Sequence, residues 1–437
     1  MAYTTTETTG YGKRIGNAFG GIIGGIVLIL AGTGVLWWNE GNFVKTRAAL
    51  NDAQGAVEGL GDINTVDSSK NAKLVHATGP AATKDVLKDA DLGILVDNAI
   101  RLDRKVEYYQ WVEDKKTDST TKTGGSETKT TTYTYKEEWT DKPVDSSKFS
   151  DPDAPTRNKN TQLVKYEDST TQAADVTFGA YRLPKFLVDK ITGAESVTVD
   201  SSNDALAKLN ERLSPPPSST PPAITPEATN PEAANPEAIT TPEAPAPPEP
   251  PRMVHVSGDT VYLGQSPNAP RVGDVRIKFT KTPAATVSLV AKVNGDTFEV
   301  YRAKNDRTVS LLSVGTHSAE NMFGAAHAGN SMSTWMWRGV GIFAVCIGLM
   351  LVLSPLQVLA SVIPFLGNIV GVGTTLFGLL AGLAWSFFVI SLAWLFNRPE
   401  IGIPLLAVAV VCVWLLVSKV RAWKNTKAQQ PVKNRAS

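Results

Sequence analysis

Between Arg338 and Arg398 the chain reads GVGIFAVCIGLMLVLSPLQVLASVIPFLGNIVGVGTTLFGLLAGLAWSFFVISLAWLFN, which is 59 consecutive residues without Asp, Glu, Lys or Arg. Most of these residues are strongly apolar. At a rise of about 1.5 Å per residue, a single helix of this length would extend far beyond the roughly 30 Å hydrocarbon core of a bilayer. The stretch must therefore fold back on itself, and the sequence predicts an integral membrane protein.

Turn-forming residues divide the uncharged stretch. Pro364 follows a first predicted span at 339–359, and a second span follows at 368–396. A polar turn then leads to another apolar segment at 401–417. The sequence thus predicts a three-span bundle within residues 336–418.

A fourth apolar segment, 18–38, lies near the N-terminus. Its length of roughly twenty residues exceeds that of a usual signal-peptide core. It also ends in Trp37 and Trp38, which is typical of a membrane interface. We interpret this segment as a retained anchor, so the chain is expected to have one N-terminal span and three C-terminal spans.

Flanking charge predicts the orientation of these spans. Lys13 and Arg14 precede the first span, and the tail 419–437 contains six basic residues and no acidic one. Positive charge favours the cytoplasmic side. We therefore expect residues 1–17 and the tail in the cytoplasm, and residues 39–335 on the opposite face of the membrane. That face is the periplasm or cell exterior of a bacterial inner membrane, or an organelle lumen in a eukaryote.

The extracytoplasmic region is expected to be a large, mainly antiparallel β domain of barrel or sandwich type. Polar and apolar residues alternate in 106–114 and in 130–139, and the polar segment 115–129 between them predicts a long exposed hairpin loop. The dipeptide Asn294-Gly295 is a strong signal for a second hairpin. Residues 214–252 contain 14 of the 27 prolines and repeat Pro-Glu-Ala, so we expect a disordered insertion there.

Composition and motifs argue against several functional classes. A net charge of +1 argues against nucleic-acid binding. No spacing of residues typical of a metal site, a catalytic nucleophile or a nucleotide-binding loop is present. The predicted spans have no Asp, Glu, Lys, Arg or His in their interiors, which argues against ion-coupled transport. We therefore expect neither an enzyme nor a cofactor.

Small residues indicate where helices could pack. Glycines at four-residue spacing allow close approach of helix backbones, either within one chain or between two copies of it. These glycines are Gly16, Gly20, Gly21, Gly24 and Gly25 around the first span, and Gly367, Gly371, Gly378 and Gly382 around the predicted span at 368–396.

Aromatic residues mark one predicted face of the β domain. Tyr109 and Trp111 alternate along one strand, and Tyr133, Tyr135 and Trp139 share a face of the next. We interpret these five side chains as part of the domain core or as a contact face for partners.

Short motifs along nearly the whole chain resemble those of the transmembrane protein 43 (LUMA) family. The clearest are Asn39-Glu40-Gly41, Leu74-Val75-His76, Tyr109-Gln110-Trp111-Val112-Glu113, Val272-Gly273-Asp274 and Asn330-Ser331-Met332 with Arg338.

The resemblance implies a four-span protein with a large luminal domain that organises membrane protein complexes rather than catalysing a reaction. In eukaryotes such proteins reside in the endoplasmic reticulum and inner nuclear membrane. The Pro-Glu-Ala segment departs from the family, and the matching motifs on both sides of it imply a loop inserted into one domain. The absence of any Asn-x-Ser/Thr sequon favours a prokaryotic member.

We therefore expect a non-enzymatic membrane scaffold that contacts the lipid bilayer, other membrane proteins and further copies of itself. One alternative is a channel or transporter subunit with the three-span bundle as its conduit. Another is a lipid-binding protein that organises the membrane.

Overall fold

The computed structural model describes residues 2–214 and 253–397, together with isolated residues between 403 and 418. The predicted insertion at 214–252, the predicted span at 401–417 and the basic tail lie wholly or largely outside the described residues.

Helices occupy the two ends of the described chain and short stretches between them. In chain order they are α1 Tyr11–Ala56, α2 Ala154–Arg157, α3 Lys185–Val188, α4 Asp204–Leu213, α5 Ala319–Ala360 and α6 Pro364–Asn397. Two single 3₁₀ turns lie at Ser68–Lys70 and Ser146–Lys148.

The three long helices α1, α5 and α6 form an antiparallel bundle, and each is long and apolar enough to cross a membrane. Large apolar side chains point outward from the bundle, including Ile23 and Leu30 of α1 and Phe343 of α5. Such a surface is expected where helices face lipid. The prediction of a multi-pass membrane protein is confirmed for these three helices.

Strands are the main secondary structure between α1 and α5, and one further strand, β1, precedes α1. In chain order they are β1 Ala2–Thr9, β2 Glu58–Gly59, β3 Leu74–Ala82, β4 Leu87–Lys88, β5 Leu95–Val96, β6 Ala99–Thr121, β7 Glu127–Thr140, β8 Ser169–Gln172, β9 Thr177–Phe178, β10 Tyr181–Arg182, β11 Glu195–Ser196, β12 Val254–Ser257, β13 Thr260–Leu263, β14 Val275–Pro283, β15 Ala285–Asn294, β16 Thr297–Glu299, β17 Tyr301–Arg302, β18 Thr308–Val309 and β19 Leu311–Val314.

The first sheet has the strand order β1-β7-β6-β14-β13-β12, with β8 added to β6 and β11 added to β14. Its neighbouring strands are antiparallel. The central pair joins β6 to β14, which comes after the insertion in the sequence. Residues on both sides of the insertion therefore belong to one sheet, as the family resemblance implies.

The second sheet closes into a small barrel. Its order is β19-β15-β16-β10-β9-β3-β2, and the additional pairing of β15 with β3 closes a ring of five strands. A two-residue turn at Gly295 and Asp296 joins β15 to β16, and Gly295 adopts a φ of +62°, which a glycine tolerates without strain. The prediction of a large antiparallel β domain of barrel or sandwich type is confirmed, with the barrel present.

The main core lies between the first sheet and the barrel. Alternating residues of β14, such as Ile277 and Phe279, are fully buried there against barrel residues such as Phe178. A second cluster joins the barrel to the helices, because Leu50 of α1 and Phe323 of α5 pack beside Val290 of β15.

The hairpin of β6 and β7 is longer than the sequence analysis predicted. The segment expected to be an exposed loop, 115–129, continues both strands in register as far as Thr121 and Glu127. Thr is frequent in this segment and favours strands because it is β-branched. This preference outweighs the polarity of the segment. The residues 114–134, called the ribbon below, project from the domain with a turn at Gly124 and Gly125.

The tip of the ribbon reaches the far end of the helix bundle. The N–H of Gly124 donates to the carbonyl of Val362 at 2.9 Å, and Arg14 donates to the carbonyl of Gly125 at 2.6 Å and lies 3.5 Å from Glu127. Strand β1, directly before α1, pairs with β7 along the ribbon.

A bilayer around the bundle excludes this arrangement. If α1 crosses the membrane, Arg14 and the β domain lie on opposite faces, about 40 Å apart. The ribbon has charged side chains and open strand edges, neither of which hydrocarbon accepts. The tip contacts and the membrane-spanning arrangement are therefore mutually exclusive. The cytoplasmic location of residues 1–17 stays a prediction.

This exclusion is testable by disulfide trapping. In a background without the native cysteines, we expect Arg14→Cys with Glu127→Cys to remain reduced in lipid nanodiscs, because the membrane separates the two positions. The control pair Lys115→Cys with Tyr133→Cys, directly opposed across the ribbon, should oxidise readily. Non-reducing gel mobility and peptide mapping report both bonds. Efficient trapping of the tip pair in nanodiscs would contradict a membrane-spanning α1.

Candidate functional site

A buried ion pair connects the three long helices where they approach the β domain. Glu40 of α1 has a fully buried side chain, and Arg338 of α5 is 14% exposed. Two hydrogen bonds join them, from Arg338 Nε to Glu40 Oε1 at 2.6 Å and from Nη2 to Oε2 at 2.7 Å. The indole N–H of Trp394 in α6 donates to the same carboxylate. We call Glu40, Arg338 and Trp394 the junction cluster.

Aromatic rings and amides surround this cluster. The Arg338 guanidinium lies 4.7 Å from the ring centroid of Trp335 and 5.8 Å from that of Trp394, within the range of cation–π attraction. The side-chain amide of Asn39 donates to the carbonyl of Thr334 at 3.1 Å. The buried charges are thus paired and hydrogen-bonded, which a buried carboxylate requires.

Glu40 and Arg338 belong to separate family motifs, and their pairing was not predicted. A signal for their pairing was present. Glu40 is the one charged residue between Arg14 and Lys45, and Arg338 is the one between Glu320 and Arg398. Two isolated, opposite charges at the same end of two antiparallel spans are expected to pair.

The five predicted aromatic residues lie on one face of the first sheet. Tyr109 is directly opposite Trp139, Trp111 is opposite Glu137, and Tyr135 is opposite Glu113. Directly opposed residues of antiparallel strands point to the same side of the sheet. Tyr133, opposite Lys115, belongs to this face as well. All five are half-buried, and their role as core or contact face stays a prediction.

Ion pairs stabilise this aromatic face. Arg276 of β14 bonds Glu107 at 2.7 Å, and its guanidinium lies 4.4 Å from the ring centroid of Trp139. Burial tends to raise the pKa of Glu107, but the hydrogen bonds and charges of Arg276 and Lys278 together outweigh it, and the pKa is lowered overall. Glu107 thus stays ionised at neutral pH.

Tyr135 attaches the base of the ribbon to the following loop. Its hydroxyl donates to Glu113 at 2.7 Å and accepts from the N–H of Asp151 at 3.1 Å. Burial and the Glu113 hydrogen bond raise the pKa of Tyr135 to about 12, so the hydroxyl remains a donor at neutral pH. The side chains of this face therefore support the sheet as well as presenting aromatic surface.

The predicted helix-packing glycines divide into two groups. The glycines of the first group lie at the interfaces of α1 and α6 with α5. A Cβ on Gly25 would lie 2.6 Å from the carbonyl oxygen of Gly348, and one on Gly382 would lie 2.6 Å from Cys346 Sγ. A Cβ on Gly371 would lie 2.6 Å from Gln357 and one on Gly378 would lie 2.8 Å from Met350, both in α5. A Cβ on Gly367 would lie 2.8 Å from Ser361, the residue directly after α5, and one on Gly21 would lie 3.7 Å from Ser354.

The other group lies on a face of α1 turned about 100° from that of Gly21 and Gly25. A Cβ on Gly16, Gly20 or Gly24 would have no neighbouring atom within 4 Å among the residues that the structure describes. This stripe is therefore open within the described part of the chain. Contacts between two copies at these positions stay a prediction.

Comparison with known proteins identifies the family. The family model described as Transmembrane protein 43 matches residues 108–399, about two thirds of the chain. The chain belongs to the transmembrane protein 43 family. The matched range contains Arg338 and Trp394, two members of the junction cluster.

Similarity to members of the transmembrane protein 43 family extends over nearly the full length. Transmembrane protein 43 of Mus musculus is 27% identical over 431 residues, covering 96% of this chain and 95% of the mouse protein. The Homo sapiens protein is 26% identical over 430 residues, with the same coverage. The Drosophila melanogaster homolog is 25% identical over 415 residues, covering 89% of this chain and 92% of its own. No solved structure matches the chain significantly.

Removing one partner of the buried ion pair should be more harmful than removing both. We expect Arg338→Met to destabilise the protein by about 3–5 kcal/mol, because it leaves the Glu40 carboxylate buried without its cation. The double variant Glu40→Met with Arg338→Met should recover most of this loss. Unfolding in a detergent series measures both. Equal destabilisation of the single and double variants would argue against the ion pair as the source of the effect.

Two adjacent glycines provide a matched test of packing. Gly25→Ile should destabilise the bundle by about 1–3 kcal/mol, because its side chain would overlap the α5 backbone. Gly24→Ile, on the open side, should leave the unfolding midpoint nearly unchanged. The same denaturation assay compares them. A larger loss for Gly24→Ile would show that the open stripe is covered in the intact molecule.

Proposed function

We propose that this member of the family is a non-enzymatic membrane scaffold that organises a membrane protein complex through its extracytoplasmic β domain. The observation that carries the proposal is the unbroken passage of α1 and α5 from the apolar bundle into the β domain. Each helix has more than 40 residues. Rigid attachment of this kind holds partners of the domain at a defined place relative to the membrane.

Several contacts support this rigidity. Asp52 near the end of α1 accepts from the Tyr301 hydroxyl at 3.0 Å and lies 3.3 Å from Lys304 Nζ. About two turns earlier in α1, the carbonyl of Lys45 accepts from the Asn305 amide at 2.7 Å. Together with the apolar cluster around Phe323, these contacts attach the barrel to the helices on several sides. Helices joined this way move with the domain as one body.

The edge of β7 supports a partner-binding role. Residues Glu127–Thr134 accept a complete strand, β1, in eight consecutive register pairs. In the membrane-spanning arrangement β1 is on the other face of the bilayer and cannot occupy this edge. An open strand edge is a template for a strand from another protein. We propose that partners bind the ribbon in this way.

Self-association is the second part of the proposal. The open stripe of Gly16, Gly20 and Gly24 has the spacing that allows close helix–helix contact in a bilayer. With positive charge flanking the spans, both termini are proposed to lie in the cytoplasm. The membrane is then a bacterial inner membrane with a periplasmic or extracellular domain if the source is prokaryotic. It is the endoplasmic reticulum or inner nuclear membrane if the source is eukaryotic.

Shortening the ribbon tests its partner-binding role. Deleting 117–120 together with 128–131 removes four opposed pairs. The register of the remaining pairs is preserved, and each remaining side chain keeps its side of the ribbon. In native membranes, we expect the shortened variant to cross-link to its extracytoplasmic neighbour proteins about tenfold less than the wild type does. Its unfolding midpoint should be unchanged. Asp118→Asn, which retains the edge, is the control.

Two outcomes would overturn the scaffold proposal. One is an unchanged set of neighbours in the shortened variant. The other is robust ion conductance by the purified chain in liposomes, which would favour a channel. The oligomer distribution of Gly20→Leu in nanodiscs, read by native mass spectrometry, tests self-association separately, and an unchanged distribution would count against the stripe as an interface.

A further inference from the structure

A polar cleft lies between α1 and α5, just beyond the junction cluster on the side of the β domain. Its volume is about 250 Å³. Arg47 and Asn51 line it from α1, His327 and Ser331 line it from α5, and Phe43 forms part of its wall. The volume exceeds that of a phosphate group and leaves room for the adjoining part of a headgroup.

The cleft is rich in donors and has no acidic lining residue. The amide of Asn330 donates to the carbonyl of Phe43, and the hydroxyl of Ser331 donates to the carbonyl of His327. The side chains of Arg47 and His327, by contrast, make no hydrogen bond or ion pair within the described part of the chain. A guanidinium and an imidazole that share one cleft without an acid are arranged for an anion.

The position of the cleft relative to the membrane narrows the identity of that anion. Trp38 of α1 and Trp335 of α5 mark the interface. By helical rise, Ser331 lies about 6 Å beyond this level and Arg47 about 13 Å beyond it. The headgroup layer extends roughly 5–8 Å past the hydrocarbon, and an arginine side chain reaches several ångströms back toward it. The donors of the cleft thus meet the level of lipid phosphates.

We propose that this cleft binds the phosphate of an anionic phospholipid from the leaflet on the side of the β domain. The planar guanidinium of Arg47 pairs with two phosphate oxygens, and the His327 ring donates from the opposite wall. Because the two residues belong to different helices, the bound lipid connects α1 to α5 directly above the ion pair. This lipid site is separate from the ribbon and from the scaffold role proposed above.

The test uses the full chain in nanodiscs of phosphatidylcholine containing a tenth phosphatidylglycerol. The chain is released from the nanodisc, and native mass spectrometry then measures the lipids that stay bound to it. We expect the wild type to retain phosphatidylglycerol above its share of the disc. Arg47→Gln should reduce that retention about tenfold, and His327→Gln by a smaller factor. The control Lys45→Gln removes an exposed cation from another side of α1 and should retain lipid as the wild type does.

A further variant and a competition experiment distinguish a bound lipid headgroup from a free anion. Arg47→Lys keeps the charge without the planar fork, so it should retain an intermediate amount if the headgroup is bound as proposed. Inorganic phosphate at millimolar concentration should fail to displace the lipid. Equal retention by Arg47→Gln and Lys45→Gln, or no enrichment over phosphatidylcholine, would overturn the proposal. Complete displacement by inorganic phosphate would assign the cleft to a free anion instead.

Discussion

The buried pair of Glu40 and Arg338 is the interaction on which the rest of the structure depends. A carboxylate with no exposed surface is stable only if its charge is neutralised in place. Arg338 does so from α5, and Trp394 adds a donor from α6. One side chain of α1 therefore determines which parts of the other two helices must meet it. The β domain is attached immediately above this point.

Close packing below the ion pair follows the same alignment of the helices. Gly25 faces Gly348 across the α1–α5 interface, and further along Gly32 faces Gly341. Apolar side chains and glycines make the backbones approach, but by themselves they tolerate sliding along the helix axis. The ion pair and the Asn39–Thr334 hydrogen bond are directional, so they select one alignment from those that the glycines allow.

The sequence was sufficient to predict the features that depend on local patterns. The length of the uncharged stretch indicated membrane helices, alternation indicated the β domain, and Asn294-Gly295 marked a hairpin that the structure contains. The strand order was not predictable, because β6 pairs with β14 across the insertion and the pairing is decided by burial rather than by nearby residues. The segment 115–129 was misread as a loop because its charges and glycines concealed the strand preference of its threonines.

The candidate site shows the same division between local and distant information. The glycines were recognised by spacing, but spacing could not distinguish Gly25, which contacts α5, from Gly24, which faces away. Neighbouring residues on a helix point in directions about 100° apart, so the partner helix decides which of them packs. The membrane imposes the corresponding constraint on the ribbon. In water, the tip of the ribbon can hydrogen-bond to Arg14. When a bilayer surrounds α1, hydrocarbon separates the β domain from Arg14 and prevents this contact. The edge of β7 is then without its pairing to β1.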